Sequence, residues 1–500
     1  MMHDVARAAR DQRLDADVVV VGSGAGGAVA AHRLQRAGKS VVLVEEGPAI
    51  DPRRYHAESW EAMKQLYYDQ GMRAMVGNLI IPTMQGRVVG GTTVVNSAIC
   101  FRLPDEVLER WVEEEGLRDL SPDVLRPIFD EVEEFLNISP EEDRYQGRHN
   151  LLMRDACAAT GWRGHAIRRN SRGCHGCGRC ILGCPEGAKL SMDRTYVPAF
   201  LDLGGELLTG VRVEQVMVSR GRAVGVRGRA IDPVTMRRGR RVEVRAKAVV
   251  LACGTVGTPA VLAESGLGGG MVGRNLVNHV ATGMLGFFDQ EVRAWDGVNQ
   301  GYCCDHFRKD GFIVEVFWAP LDLMTIRVPG FGMAHKQRMA RMGHVAGWGA
   351  MIRATSKGRV WARPGKAPAI FYWMNKRDGA LMQRAMKATA DLLFAGGAKM
   401  VTPGIHGVPT ELTDPGQTRL IAEANLGSQA FNPIGNHPMG TCRMSERKGR
   451  GVVDSHGESH QVERLFVADA SVFPDAPGVN PQVSIMALAA HCADYVATVV

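Results

Sequence analysis

The stretch from Asp17 to Gly47 constrains this chain most. Four valines, Val18 to Val21, run into Gly22-Ser-Gly24-Ala-Gly-Gly27. A buried strand that ends in such a glycine turn lets the backbone approach a pyrophosphate closely. A helix opening there presents free N–H groups and the positive end of its dipole to that anion. Gly38 stops the helix, and Ser40-Val-Val-Leu-Val44 supplies a second apolar strand. Glu45 then stands 18 residues past Gly27, close to the roughly 20 expected of the acid that grips a ribose hydroxyl. A glycine triplet alone describes many turns. Set between two strands and followed by that acid, it describes a dinucleotide site made by Gly22, Gly24, Gly27 and Glu45.

The remaining totals narrow the class. Five hundred residues exceed one ordinary core and imply two intertwined domains. Hydrophobic content of 45% and charged content of 23% describe a soluble globular protein. The net charge of +7 is not gathered into a nucleic-acid face. Its densest run, Arg237 to Lys247, alternates with Val242, Val244 and Ala246, as the solvated side of a strand does. The first twelve residues lack the apolar core of a signal peptide, and no uncharged run reaches the ~18 residues of a membrane span. A cytoplasmic chain is expected, with contact to a membrane surface or a partner subunit left open.

Along the chain, Pro48 to Asn78 reads as a polar, aromatic-rich connection. Gly86 to Ser97 is a run of small residues suited to close approach of a ligand or to a tight turn. Pro104 to Leu136 has the pattern of two charged helices. From Glu206 to Ala252 strands alternate with turns at Arg220 to Arg222 and Asp232-Pro233. They end in Ala248-Val-Val-Leu-Ala-Cys-Gly254, a second buried strand that belongs beside the first in a parallel sheet. Phe312 to Pro320 reads as a strand, Met333 to Met351 as a Met-rich core segment, and Leu465 to Asp469 as a third buried strand. Pro481 to Val499 reads as a final apolar helix.

Two residues near the C-terminal end can carry chemistry. His437 lies in Asn436-His437-Pro438-Met-Gly440-Thr-Cys-Arg443. Asn480 precedes Pro481 and reads either as the cap of the last helix or as a polar group at a reacting centre. In the second reading the helix aims the N–H groups of Gln482 and Val483 at a flavin ring and stabilises negative charge on it.

The chain resembles the glucose–methanol–choline (GMC) oxidoreductases, FAD enzymes that oxidise alcohols. Five ordered motifs carry the resemblance: Gly22 to Gly27 with Glu45; Arg87 to Asn96; Gly254 to Gly266 with Pro259; Val272 to Leu276 with His279; and His437 to Arg443 with Asp469 to Gln482. The resemblance implies an α/β fold in which a Rossmann-like FAD-binding domain interleaves with an α+β substrate domain built on an antiparallel sheet. The expected FAD domain comprises residues 1–105, 195–285 and 425–500. The substrate domain comprises 106–194 and 286–424, with a Cys-rich loop at 172–188. His437 is implied as the catalytic base and Asn480 as its partner on the alkoxide, a neutral imidazole of pKa ~6.5 taking the hydroxyl proton. Val213 is implied at the adenine, Asp469 at the ribityl–pyrophosphate region, Gly91, Thr92 and Asn96 on the flavin side, and Gln482 beside them. Val95 stands where some relatives carry a flavin-linking His, so FAD is expected without a covalent bond there.

Eleven cysteines are present, four of them in Cys174-x-x-Cys177-x-x-Cys180-x-x-x-Cys184-Pro185. This spacing is that of a bacterial ferredoxin run, and such crowding favours a metal over a disulfide framework. A [4Fe–4S] cluster, a [3Fe–4S] cluster, a fourth ligand from Cys303, Cys304 or Cys100, a closed zinc site and free thiols all remain open. The segment also looks like the cluster segment of iron–sulfur glucose dehydrogenases of the family, while Gly311 to Gly332 and Ala395 to Gly407 look closer to its long-chain alcohol oxidases. The expected reaction oxidises a primary or secondary alcohol, long-chain or steroid-like. Electrons then leave through a cluster to a quinone, cytochrome or dye. A sugar or polyol substrate, an oxygen-using oxidase without a cluster, and a non-redox FAD lyase are the alternatives.

Overall fold

A computed structural model describes residues 1–447 and 449–500. Its largest sheet has eight strands and grows from β1 (Gln12–Val21). On one side lies β2 (Val41–Val44), parallel, with Val18 opposite Val41 and Val21 opposite Val44. On the other lies β3 (Arg238–Leu251), also parallel, with Ala248 opposite Val18 and Leu251 opposite Val21. All eight apolar residues of Val18–Val21 and Val41–Val44 are buried, each contributing about 1.5–3 kcal/mol. Glu206–Thr209 and Met2–Asp4 extend the parallel edge beyond β2. The short strand Leu465–Val467 pairs in parallel with the end of β3, and Arg222–Ile231 and Val211–Ser219 continue antiparallel from its beginning. Helix α1 (Ala25–Arg36) follows β1 and packs on the C-terminal helix, Gln482–Val499. Helix α2 (Gly254–Glu264) follows β3. The ends of β1, β2, β3 and Leu465–Val467 thus converge with two helix N-termini, where open α/β sheets bind ligands.

The second sheet has six strands, all antiparallel. Its centre is β4 (His279–Phe287), β5 (Phe312–Val316) and β6 (Val345–Arg353). Gly283 of β4, Gly349 of β6 and Glu315 of β5 lie in one row across it. Helix α3 (Lys376–Ala395) packs against this sheet. A third, four-stranded sheet joins Gly358–Trp361, Ala369–Tyr372, Ala74–Gly77 and Ile80–Pro82.

Some expectations need revision. β4 belongs wholly to the second sheet, so the chain, after giving it the short strand Gly164–Ala166, returns to that sheet at His279 and not after residue 285. The Met-rich segment divides in two. Val345–Arg353 is a core strand, but Gly332–Met339 is a short helix with no buried residue, and Met333 is 66% exposed. Its basic residues Lys336 and Arg338 lie in its last turn. The helical pair is Asp105–Glu115 and Pro122–Phe135. Among the described residues no helix is long and apolar enough to cross a membrane.

Candidate active site

The two large sheets enclose a cavity of ≈2050 Å3, larger than the roughly 300–1,000 Å3 of a single small-molecule site. There is space for a dinucleotide and a second ligand. Gly22, Gly24, Glu45, Gly91, Thr92, Asn96, Val213, Asp469 and Gln482 all line it, with His437 and Asn480.

The glycine turn is shaped by close contacts. A Cβ on Gly27 would stand 1.8 Å from the carbonyl oxygen of Gly22, so only glycine lets α1 pack on the end of β1. A Cβ on Gly24 would meet nothing within 4 Å, and Gly24 caps α1 without a side-chain bond. Open space therefore faces unpaired helix N–H groups, the arrangement that receives a phosphate. Glu45 Oε2 accepts from the N–H and Oγ–H of Ser23 (2.9 and 2.7 Å), and Oε1 accepts from Gly47 N–H (2.7 Å). A carboxylate has about four acceptor positions, so one remains for a ribose hydroxyl. Burial pushes the Glu45 carboxyl above its ordinary range.

Asp469 is held at the N-terminus of α2. Its Oδ2 accepts from Gly254 N–H (2.9 Å) and Thr258 Oγ (2.5 Å), and its Oδ1 accepts from Ser471 N–H (2.8 Å). Gly91–Val94 forms one turn of 3-10 helix, with Gly91 at φ +55°. Thr92 Oγ1 accepts from Gly86 N–H at 3.1 Å, and Asn96 Nδ2 donates to Gln482 Oε1. The residue capping the C-terminal helix is Pro481, not Asn480, and no side chain caps it. Asn480 is freed from helix capping, and its buried Oδ1 has no hydrogen-bond partner.

His437 is neutral, since burial pushes its imidazole down to about 4. Its Nδ1 lies 3.3 Å from Nδ1 of buried His279. Gly478 N–H donates to Nε2 of His279 at 2.8 Å. With that nitrogen an acceptor, neutral His279 keeps its hydrogen on Nδ1 and donates it to His437. His437 then carries its own hydrogen on Nε2, a tautomer assigned from these hydrogen bonds. In this tautomer Nε2 bears a hydrogen, whereas the base expected from the sequence needs a free lone pair on the nitrogen that faces a substrate.

Sequence reasoning passed over Glu315. It is a buried wall residue of the cavity, its Oε1 lacks a partner, and burial pushes its carboxyl up to about 7 despite the favourable Asn480 amide. The available signal was a lone acid inside Phe312-Ile-Val-Glu-Val-Phe.

The His437 loop is anchored by Arg443, whose buried guanidinium pairs with buried Glu115; Arg450 reaches the same carboxylate at 2.8 Å. Glu115→Ala leaves Arg443 buried without its partner. A loss of about 3–5 kcal/mol is expected, read from denaturant unfolding of the holoprotein.

Cys174, Cys177, Cys180 and Cys184 border one small cavity, together with Arg169 and Lys189. Gly173, Gly176, Gly178, Gly183 and Gly187 all have positive φ, which lets the loop wrap this space. Among the described residues, however, no three His, Cys, Asp or Glu side chains gather as a set for one metal ion. The distant candidates Cys100, Cys303 and Cys304 do not border this cavity. Cys100 faces Asn170, Cys303 faces His165, and Cys304 faces Cys157. Lys189 Nζ donates to the carbonyls of Val94, Asn96 and Cys180 (2.6, 2.8 and 2.8 Å). Arg169 donates to Ser97 O (2.7 Å), Gln300 O (2.9 Å) and Cys180 Sγ (3.3 Å). Two buried cations thus tie the cysteine loop to the wall of the large cavity.

GMC oxidoreductase family models match residues 63–281 and 354–489, and an FAD binding domain model matches residues 17–58. An uncharacterised GMC-type oxidoreductase of Mycobacterium tuberculosis is 37% identical over 96% of this chain and 75% of its own length. A long-chain-alcohol oxidase of Arabidopsis thaliana is 27% identical over 95% of this chain and 67% of its own. The crystal structure of a pyridoxine 4-oxidase from Mesorbium loti superposes with a TM-score of 0.71 at 19% identity, covering 96% of this chain and 98% of that one, a likeness of fold. With its dinucleotide cradle, its ordered motifs and these relatives, the chain belongs to the GMC oxidoreductase family.

Proposed function

We propose that the protein oxidises a hydrophobic alcohol, long-chain or steroid-like, to its carbonyl, with non-covalent FAD held by Gly22, Gly24, Gly27, Glu45, Gly91, Thr92, Asn96, Val213, Asp469 and Gln482. The observation that carries this reading is one shared cavity. The glycine cradle opens into the same space as His437, Asn480 and an apolar wall that includes Phe317, Trp318, Ala319, Met351 and Ile434. FAD, when bound, accepts the hydride that leaves the carbinol carbon. The chain's own part is to hold the hydroxyl and receive its proton. His437 donates from Nε2 to the hydroxyl oxygen, Asn480 steadies the hydroxyl hydrogen through its unpartnered Oδ1, and the buried Glu315 carboxylate on the same cavity wall is the group that takes the proton. The apolar wall excludes water, which strengthens both contacts.

The long-chain-alcohol oxidase relative supports the apolar substrate. Anaerobic bleaching of the flavin by decanol, a sterol and glucose tests it. Fastest bleaching by decanol or the sterol is expected. Fastest bleaching by glucose makes the protein a sugar dehydrogenase, and no bleaching by any alcohol returns the non-redox lyase.

A second element concerns the electrons. We propose that they leave through an iron–sulfur cluster on Cys174, Cys177, Cys180 and Cys184. Support comes from the ferredoxin-like spacing and the thin partition between the cavities: Ile181 borders the large one and its neighbour Cys180 the small one. Iron and acid-labile sulfide are expected in stoichiometric amounts, with an EPR signal in one redox state. Zinc at one per chain, or no metal, would make oxygen the simpler acceptor.

A further inference from the structure

We propose that the outer face of the third sheet docks on an anionic lipid bilayer, against which the mouth of the large cavity then opens.

The sheet has two unlike faces. Val360, Ile370, Tyr372, Met75 and Ile81 point inward and are buried in one core. On the other side, strand pairing sets Arg359 opposite Phe371, Phe371 opposite Val76, and Val76 opposite Ile80. Paired residues project to the same side of a sheet, so these four form a row across the outer face. Trp361 and Trp373, two residues along from Arg359 and Phe371, flank that row on the same side. The ring of Phe371 is 5.9 Å from that of Trp373 and 6.4 Å from that of Trp361. Trp361 is 43% exposed, Val76 51%, Trp373 52% and Ile80 71%. A contiguous apolar surface of this kind marks a face that meets another apolar phase.

Charge selects the occupant. From residue 357 to 377 the chain carries Lys357, Arg359, Arg363, Lys366, Lys376 and Arg377, with no Asp or Glu. All six cations are exposed, and among the described residues none pairs with a carboxylate. The nearby Glu264 carboxylate accepts from the backbone N–H of Gly365 rather than from these side chains. The Arg363 guanidinium lies 4.4 Å from the centre of the Trp361 ring, so cation and indole are presented together. Indole rings beside cations suit the headgroup level of a bilayer, where the ring is partly dehydrated and anionic headgroups receive the charge. Val76 and Ile80 offer nothing to a phosphate or a base, which sets lipid apart from nucleic acid. A second copy of the chain is a poor occupant, because a two-fold contact would bring these cations together.

Position gives the face its use. Val76, Phe371 and residues 366–368 also border the large cavity. The apolar face is the lip of that cavity, and a bilayer on it lies against the mouth.

Sedimentation of the FAD-loaded protein with lipid vesicles tests this without substrate or turnover, so its outcome is separate from that of the alcohol oxidation proposed above. Vesicles of phosphatidylcholine mixed with phosphatidylserine should carry the protein down and shift its tryptophan fluorescence to the blue. Phosphatidylcholine alone should bind at least about tenfold more weakly, and salt at about 1 M should release the protein. Arg359→Gln with Arg363→Gln should weaken binding about 30-fold, as expected on losing two surface cations. Trp361→Ser with Trp373→Ser should weaken it about tenfold or more and remove the blue shift. These four side chains are exposed and do not border the cavity, so both double variants should keep the FAD content and denaturant midpoint of wild type. Binding left intact in either double variant, or equal binding to the two kinds of vesicle, would overturn the proposal. Failure to bind either kind would overturn it as well and leave the face to an acidic protein.

Discussion

His437→Ala should keep its FAD and yet reduce it with alcohol about 100- to 1,000-fold more slowly, the size expected on losing one donor aimed at a developing oxyanion. Retention of FAD follows from where the cofactor contacts lie. Glu45 is fixed by Ser23 and Gly47, and Asp469 by Gly254, Thr258 and Ser471, none of which leans on the imidazole. The loop itself is held from below by Arg443 and Glu115, so the side chain can go without the backbone following. His437→Gln refines the result, because Gln still offers an N–H. Recovery of a large part of the lost rate by Gln over Ala is expected for a donor, whereas equal losses are expected for a base. Stopped-flow flavin absorbance at saturating alcohol measures both. Reduction of the Ala variant at the wild-type rate would remove His437 from the reaction.

The placement of the hydrogen on the imidazole marks where sequence stops being informative. The dinucleotide site could be read from letters because its determinants are local: a strand, a glycine turn, a helix and an acid within about thirty residues. Val18–Val21 and Val41–Val44 pair as the pattern implies. The parallel placement of Ala248–Leu251 beside them follows from the same apolar runs. His437 was visible through its motif, but its tautomer is set by His279, 158 residues earlier, and by a backbone N–H at Gly478. No spacing rule encodes that contact. Glu315 was hidden for a related reason. Its strand is buried on both faces, so alternation gives no hint of which face meets the cavity, and the glycines beside it, over which the Phe317 ring packs, lie on other strands. At Asn480 the sequence carried two readings. Asn before Pro is a good local signal for a helix cap, yet Pro481 takes the cap and the Asn side chain turns to the cavity. The cysteine spacing gave a donor set. The cations Arg169 and Lys189, which join it to the flavin side, emerge only from the fold.

Two glycines of the cradle should fail in different ways when each is changed to Ala. Gly27→Ala places a methyl 1.8 Å from Gly22 O, a backbone atom at the end of β1 that no rotamer change can move. Helix α1 must shift away from the sheet, and with it the contact with the C-terminal helix that carries Gln482. A destabilisation of about 1–3 kcal/mol or more is expected, together with loss of the yellow cofactor. Gly24→Ala is the opposite case. Its φ of −70° suits any residue, and the added methyl meets no protein atom within 4 Å. Its apoprotein should unfold within about 0.5 kcal/mol of wild type, as substitutions without steric conflict do. Yet that methyl points into the space where a phosphate would approach the N–H groups of α1. FAD affinity should therefore fall at least about tenfold, the cost of ~1.4 kcal/mol at the closest approach. Equilibrium dialysis of FAD against both apoproteins, beside their denaturant curves, separates the two effects. Equal FAD affinity in Gly24→Ala and wild type would mean that the pyrophosphate lies elsewhere, and that the helix N-terminus is not its site.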